Sequence, residues 1–385
     1  MTARRWAAVV ASLLVTCGCS GGGASDAGSA SPGGASRSAG SGPTGGASAT
    51  GGSSSSASGA PATLATGAGS GPAAPQPYPA VLPQQAQRIT DAVDAALASA
   101  RTALDPTSAG ARVVGPARDA LTARLKVAAV RHPAAADLAA AVGPALTVSR
   151  LVVPQAGPWP RWFLAAGTSP AVPTPALRLY LSADARSPYG LWGQLNLLPG
   201  ATLPEPAGAS GSGASGAPML APTAGGLAMT PEQVAIRYAD VLNRGPASAF
   251  AGAFTADTYR TQLNARLGSD RAAIVKSGVA TLVSAHSTVP GAVYAVQTAD
   301  GGALVVVALR QDYRVLVTRG KGAVTADPDL AALAGRSTFS VRLDRIASEV
   351  LAFHVPPAPP AGQAGQAAQV QLVAAGKADV SATGS

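Results

Sequence analysis

Few residues in this chain are placed to do acid–base or metal chemistry. There are three histidines, His132, His286 and His354, and no two share the i,i+4 spacing that puts a metal-binding pair on one helix face. No H-E-x-x-H, C-x-x-C, Walker loop or calcium-loop pattern occurs, and no G-x-S-x-G elbow lies between strand and helix patterns. No metal ligand set and no cofactor is expected. A general base would have to be an inward-facing strand residue, and His286, Tyr294 and Asp312 are the conceivable members. Surface or locally satisfied roles for all three are the simpler expectation, and no catalytic residue is assigned.

Two other groups carry more chemistry. Trp159, Trp162 and Trp192 cluster with Phe163, Tyr180 and Tyr189, and such rings bind sugars or apolar ligands by stacking. They are candidate ligand-contacting residues. The competing expectation is that they fill core volume in an alanine-rich domain. The second group is Cys17 and Cys19, the only two cysteines, both in the leader. The body therefore has no thiol for a disulfide, a zinc site or a nucleophile.

The leader reads MTARRWAAVVASLLVTCGC. Arg4 and Arg5 form a positive start, and Trp6 to Val15 form an apolar stretch too short for a ~30 Å hydrocarbon core, which needs about 20 residues. This is the pattern of an export signal. Val15-Thr16-Cys17-Gly18-Cys19 resembles the bacterial lipoprotein signal, which implies a diacylated cysteine as the new N-terminus. Gly18 is the small residue the peptidase needs before the modified position, so the resemblance implies Cys19 as the lipidation site. Cys17 would place Thr16 there and fits less well. Two acyl chains give stable anchoring where one does not. The expected location is the extracytoplasmic face of the cell membrane, where nucleic acid is no partner.

The elements that must position these residues occupy only part of the 385 residues. Glycine (45) and proline (32) concentrate in stretches that cannot offset the entropy of ordering the chain. Residues 1–18 read as the signal peptide and 19–84 as a disordered Gly/Ser/Ala/Pro tether. Residues 206–229 read as a flexible linker and 357–385 as a disordered tail. The formal charge of +9 is scattered, without runs, and suits a mildly basic solvated surface.

Between these segments lie two modules, 85–205 and 230–356. R-x-x-L-x-A-R-L occurs at 118–125 and again at 260–267, and the order of elements around it matches, which points to tandem duplication. Thr230-Pro231-Glu232-Gln233 is a helix start and Gly245 its stop, with Val234, Tyr238, Val241 and Leu242 on one face. Helices are expected near 86–104, 113–128, 134–143 and 270–277. Strands are expected near 146–153, 161–166, 177–182, 190–198, 279–288, 292–298, 303–317, 337–343 and 349–355. The fold class is α+β: each module packs short helices on a curved antiparallel sheet, a cone that looks like the nuclear-transport-factor-2-like or cystatin-like folds.

Val153-Pro154, Trp159-Pro160-Arg161-Trp162-Phe163 and Leu197-Leu198-Pro199-Gly200-Ala201 resemble stretches of a family of uncharacterised lipoproteins from high-GC Gram-positive bacteria. The resemblance implies an extracytoplasmic domain without assigned activity. The expectation is a non-enzymatic binding or scaffolding protein that contacts an envelope protein or the cell wall. A carrier of a small apolar ligand or glycan in a cone cavity is the alternative, and a cone-type hydrolase or isomerase the second.

Overall fold

The computed structural model describes residues 8–9, 77–170, 172–208, 216–360 and 368–385. Cys19 and nearly all of the signal and tether lie outside the described residues. From residue 77 on, everything described belongs to one compact unit.

The first half opens with α1 (Pro83–Ala103), a 3-10 segment (Pro106–Arg112), α2 (Gly115–Arg131) and α3 (Ala135–Val142). A meander follows: β1 (Thr147–Val152), β2 (Arg161–Ser169), β3 (Val172–Ser182) and β4 (Gly190–Leu197). A short β5 (Met219–Leu220) precedes the second half. There α4 (Pro231–Arg244) starts on Thr230, whose hydroxyl accepts from Gln233 N, and stops at Gly245, as the sequence predicts. Its face of Val234, Tyr238, Val241 and Leu242 is buried. Next come α5 (Thr258–Ser277), β6 (Ala280–Gln297) and β7 (Ala303–Val317). After them lie β8 (Val324–Thr325), α6 (Pro328–Ala334), β9 (Thr338–Phe339), β10 (Arg342–Val355) and β11 (Gln371–Gly384).

Among the described residues nine strands form one antiparallel sheet, curled into a half-barrel, in the order β1-β2-β3-β4-β11-β10-β7-β6-β5. The two halves meet where β4 pairs with β11, through Leu197 with Ala374 and Asn196 with Ala375. This corrects the expectation of separate modules on a flexible linker. Within 206–229, β5 pairs with β6, and isolated bridges join Pro206 to Thr298 and Ala217 to Pro154. It also corrects the disordered tail: 371–384 is an interior strand, paired with β10 along nearly its whole length. The physical reason is its setting. A strand flanked on both edges and covered by α2 and α6 needs small residues for close approach, not large apolar ones of its own. Gly376 shows this, since a Cβ there would lie 2.1 Å from the backbone oxygen of Gln194.

Other boundaries move for simple reasons. Residues 270–277 are the end of the single helix α5, which Asp257 caps by accepting from Arg260 N. The expected strands 279–288 and 292–298 are one strand, bulged between Thr288 and Val293 around Pro290-Gly291. The tether ends earlier than expected, because Ala80 N already donates to Pro154 O.

Alternation along the strands separates two faces. On β2, Phe163 and Ala165 face α1–α3, while Trp162, Leu164 and Ala166 face the inside of the curl. On β7, Ala303, Val305, Val307 and Leu309 face α4 and α5, while Leu304, Val306 and Ala308 face inside. Burial on both faces explains the unbroken run Leu304–Leu309. Beyond it the even residues Arg310, Asp312 and Arg314 reach solvent, and the pattern turns alternating.

Candidate functional site

The two strand halves that face each other across the curl close on aromatic rings. Trp162 and Trp192 meet Tyr294 edge-on at 5.8 and 4.9 Å between centroids. They are 3% and 6% exposed. This corrects the expectation that they contact a ligand: they fill the interior that a carrier would keep open. Trp159 is the exception. It is 38% exposed in the β1–β2 loop, ahead of a cis bond to Pro160, with the Arg161 guanidinium 4.7 Å from its ring centre. Trp162→Ala is expected to cost ~3–5 kcal/mol in urea unfolding. Trp159→Ala should stay within about 0.5 kcal/mol, as for a surface residue.

The histidines separate likewise. His132 ends α2 in a left-handed conformation, and His354 contacts Asp300 at 2.9 Å near the surface. Only His286 is buried. Tyr294 belongs to the inner aromatic cluster, and Asp312 is exposed against Arg310. So of the three conceivable general bases, one alone lies in a polar core cluster.

That cluster is assembled by four adjacent strands and the two helices above them. Glu349, in the middle of β10, is 0% exposed. His286 on β6 places Nε2 3.5 Å from Glu349 Oε1, and Lys377 on β11 places Nζ 3.2 Å from the same oxygen. Lys377 also donates to Gln311 on β7, whose amide donates to Ser284 Oγ at 2.9 Å. From α4, Asn243 ties down His286: its Nδ2 donates to His286 O at 2.9 Å and its Oδ1 accepts from His286 N at 2.6 Å. Nearby, Tyr238 donates to Asp257 at 3.1 Å.

Burial and charge oppose each other at Glu349. Burial alone raises a carboxyl's pKa, but His286 and Lys377 overcome it and hold the group down at about 2. The Tyr259 hydroxyl is pushed well above its usual range, first by burial and then by Glu349. Burial lowers Lys377, against the pull of Glu349. The contacts at Glu349 are ionic, with neither oxygen in hydrogen-bond geometry. An ionised carboxylate beside a histidine is the right pair for proton transfer, but a general base must come within about 3 Å of its substrate. Here both groups are sealed beneath α4 and α5. Only Lys377 is partly open, toward a cleft under α2.

Sequence reading singled out His286 and missed Glu349, Lys377 and Gln311. One signal was available, a glutamate alone inside the apolar run Ile346–Val355. Lys377 sat in what read as a tail. Among the described residues no group of three or more metal-ligating side chains converges, and no helix is long and apolar enough to cross a membrane. A family model described as a domain of unknown function (DUF8094) matches residues 77–384. No curated protein and no solved structure matches the chain.

Proposed function

The chain belongs to the family of the DUF8094 domain of unknown function, and on that premise we propose that it is a membrane-anchored extracytoplasmic lipoprotein whose body binds or scaffolds without catalysis. In this reading Cys19 carries the acyl chains, residues 20–84 space the body from the membrane, and the partner is an envelope protein or the cell wall. The observation that carries the reading is the leader: a charged start, a short apolar stretch, and Gly18-Cys19 ahead of a Gly/Ser-rich spacer. The same reading agrees with the resemblance to the uncharacterised lipoproteins of high-GC Gram-positive bacteria.

The body supports the non-enzymatic part. The interior of the curl is filled by Trp162, Trp192 and Tyr294, and the Glu349–His286 pair has no open approach. Both count against the carrier and the hydrolase alternatives.

We read the body as a tandem duplication. The repeated R-x-x-L-x-A-R-L falls on α2 and α5, each a helix ahead of the meander of its half with α3 intervening in the first, and Leu121, Leu125, Leu263 and Leu267 are buried alike. The halves join last strand to last strand, antiparallel, as two copies related by a local twofold axis would.

The test is mass spectrometry of the native protein with fractionation of Cys19→Ser. A diacylated residue 19, with release of the variant from membranes, is the expected result. An unmodified Cys19, or wild-type protein in the cytosol, overturns the reading.

A further inference from the structure

α2 crosses β4, β10 and β11 at the junction of the two halves. Beneath it lies a cleft of about 30 Å³, whose polar lining is Arg124, Gln194, Ser348 and Lys377. Lys377 is matched by Glu349. Arg124 is matched by nothing: among the described residues its guanidinium has no hydrogen bond and no ion pair, and burial works against its charge without a neighbouring acid to offset it. An arginine cannot escape by losing its proton, so a half-buried one with no acid beside it leaves its charge to water or to an anion that enters the cleft.

The repeat shows what is missing. Arg124 and Arg266 hold the same position in R-x-x-L-x-A-R-L. Arg266 is met at 3.0 Å by Asp270, four residues on, which also accepts from Tyr313. Four residues after Arg124 stands Ala128. The first half therefore keeps the cation and lacks the internal anion. Gln194 Oε1, at the same cleft, is buried without a hydrogen-bond partner; as an acceptor it is served by a protonated P–O–H group and not by a bare oxyanion.

We propose that this junction cleft is an oxyanion site, in which Arg124 binds a phosphate group with Gln194 and Ser348 as its polar neighbours. Arginine suits the class, since its fork of N–H groups matches two oxygens of one phosphate. At about 30 Å³ the cleft has room for a water or two, so a phosphate group reaches Arg124 from its open side, and no drug-sized molecule, for which several hundred Å³ are usual, enters whole. The phosphate is therefore a free ion or the end of something larger, such as a lipid headgroup. The proposal rests on the body and not on the anchor. The test uses Cys19→Ser protein throughout, so that its outcome is independent of acylation.

The measurement is thermal unfolding with inorganic phosphate against chloride of equal ionic strength. The expected result is a saturable rise in melting temperature with phosphate alone, and binding at least ~10-fold weaker in Arg124→Met and Arg124→Gln. Arg124→Met should be no less stable than its parent without phosphate, because it removes an unmatched charge. Vesicles of phosphatidylglycerol identify the source. Binding lost in Arg124→Met marks a headgroup, and a phosphate response without vesicle binding marks a soluble ligand. An absent phosphate response, or one that Arg124→Met retains, overturns the proposal. If the variants fail to fold, selenate soaked into crystals of the parent decides: an anomalous peak at Arg124 upholds the site, and none there removes it.

Discussion

Ending the chain after Pro360 should abolish cooperative unfolding of the entire body, not trim a loose end. The residues removed include β11, whose backbone pairs with β10 from Leu343–Gly384 through His354–Gln371 and with β4 at Leu197 and Asn196. Its loss strands a row of N–H and C=O groups on β10 and opens the β4 edge beneath α2 and α6. Val370, Leu372, Val373 and Ala374 leave the cores of both the inner curl and the second half. Each buried aliphatic contributes about 1.5–3 kcal/mol, so their sum alone matches the 5–15 kcal/mol that hold an ordinary domain. Circular dichroism and urea titration of the truncated protein check this. A sharp transition at the full-length midpoint would mean that the strand is dispensable.

The second large effect is expected at Glu349. Replacing it with leucine leaves His286 and Lys377 facing an apolar side chain. Removing one member of a buried pair usually costs ~3–5 kcal/mol. The lower end is expected here, because Lys377 is partly open to the cleft. The pH dependence gives the same magnitude. In the fold, the carboxyl titrates near 2 rather than at its ordinary 4.5. A depressed carboxyl stabilises the fold above its ordinary pKa, and that stability is lost as pH falls through the folded value. The difference between wild type and Glu349→Leu should therefore be full, about 3 kcal/mol, above pH 4.5 and fade toward pH 2. Asp257, whose pKa is raised by burial, gains stability as pH falls, so the difference between the two proteins is the quantity to follow. Urea unfolding of both from pH 7 to 2 measures it. A difference that does not change with pH would show that Glu349 is not ionised in the fold. Glu349→Leu with Lys377→Met should recover part of the loss, since it removes both charges together.

Sequence legibility followed side-chain size. The first-half strands and α4 were readable because Val, Leu and aromatic residues mark their faces at the right period. Thr230-Pro231 and Gly245 then set the ends of α4. α6 was missed, although Asp327-Pro328 is a start signal: Asp327 accepts from Asp329 N and Leu330 N at 3.0 Å. β11 was unreadable because its centre, Ala374 to Ala378, has the composition of a linker. Its strand state is set by neighbours distant in sequence, which a local window does not contain. The same blindness split the body in two and hid Lys377, and with it the ionic cluster. Trp162 and Trp192 were visible as a group, but which face of β2 and β4 turned inward depended on the curl.

Nearly half the chain separates the two strands that meet at Leu197 and Ala374. Residues 371–384 also follow everything they pair with, so they leave the ribosome after all of it. The first four strands are made early and then wait, one edge open, for a partner not yet synthesised. Such high contact order slows folding, and the waiting edge invites wrong pairings. The export we propose suits this plan: a chain that cannot close its sheet before residues 371–384 arrive is still unfolded when a narrow channel takes it up.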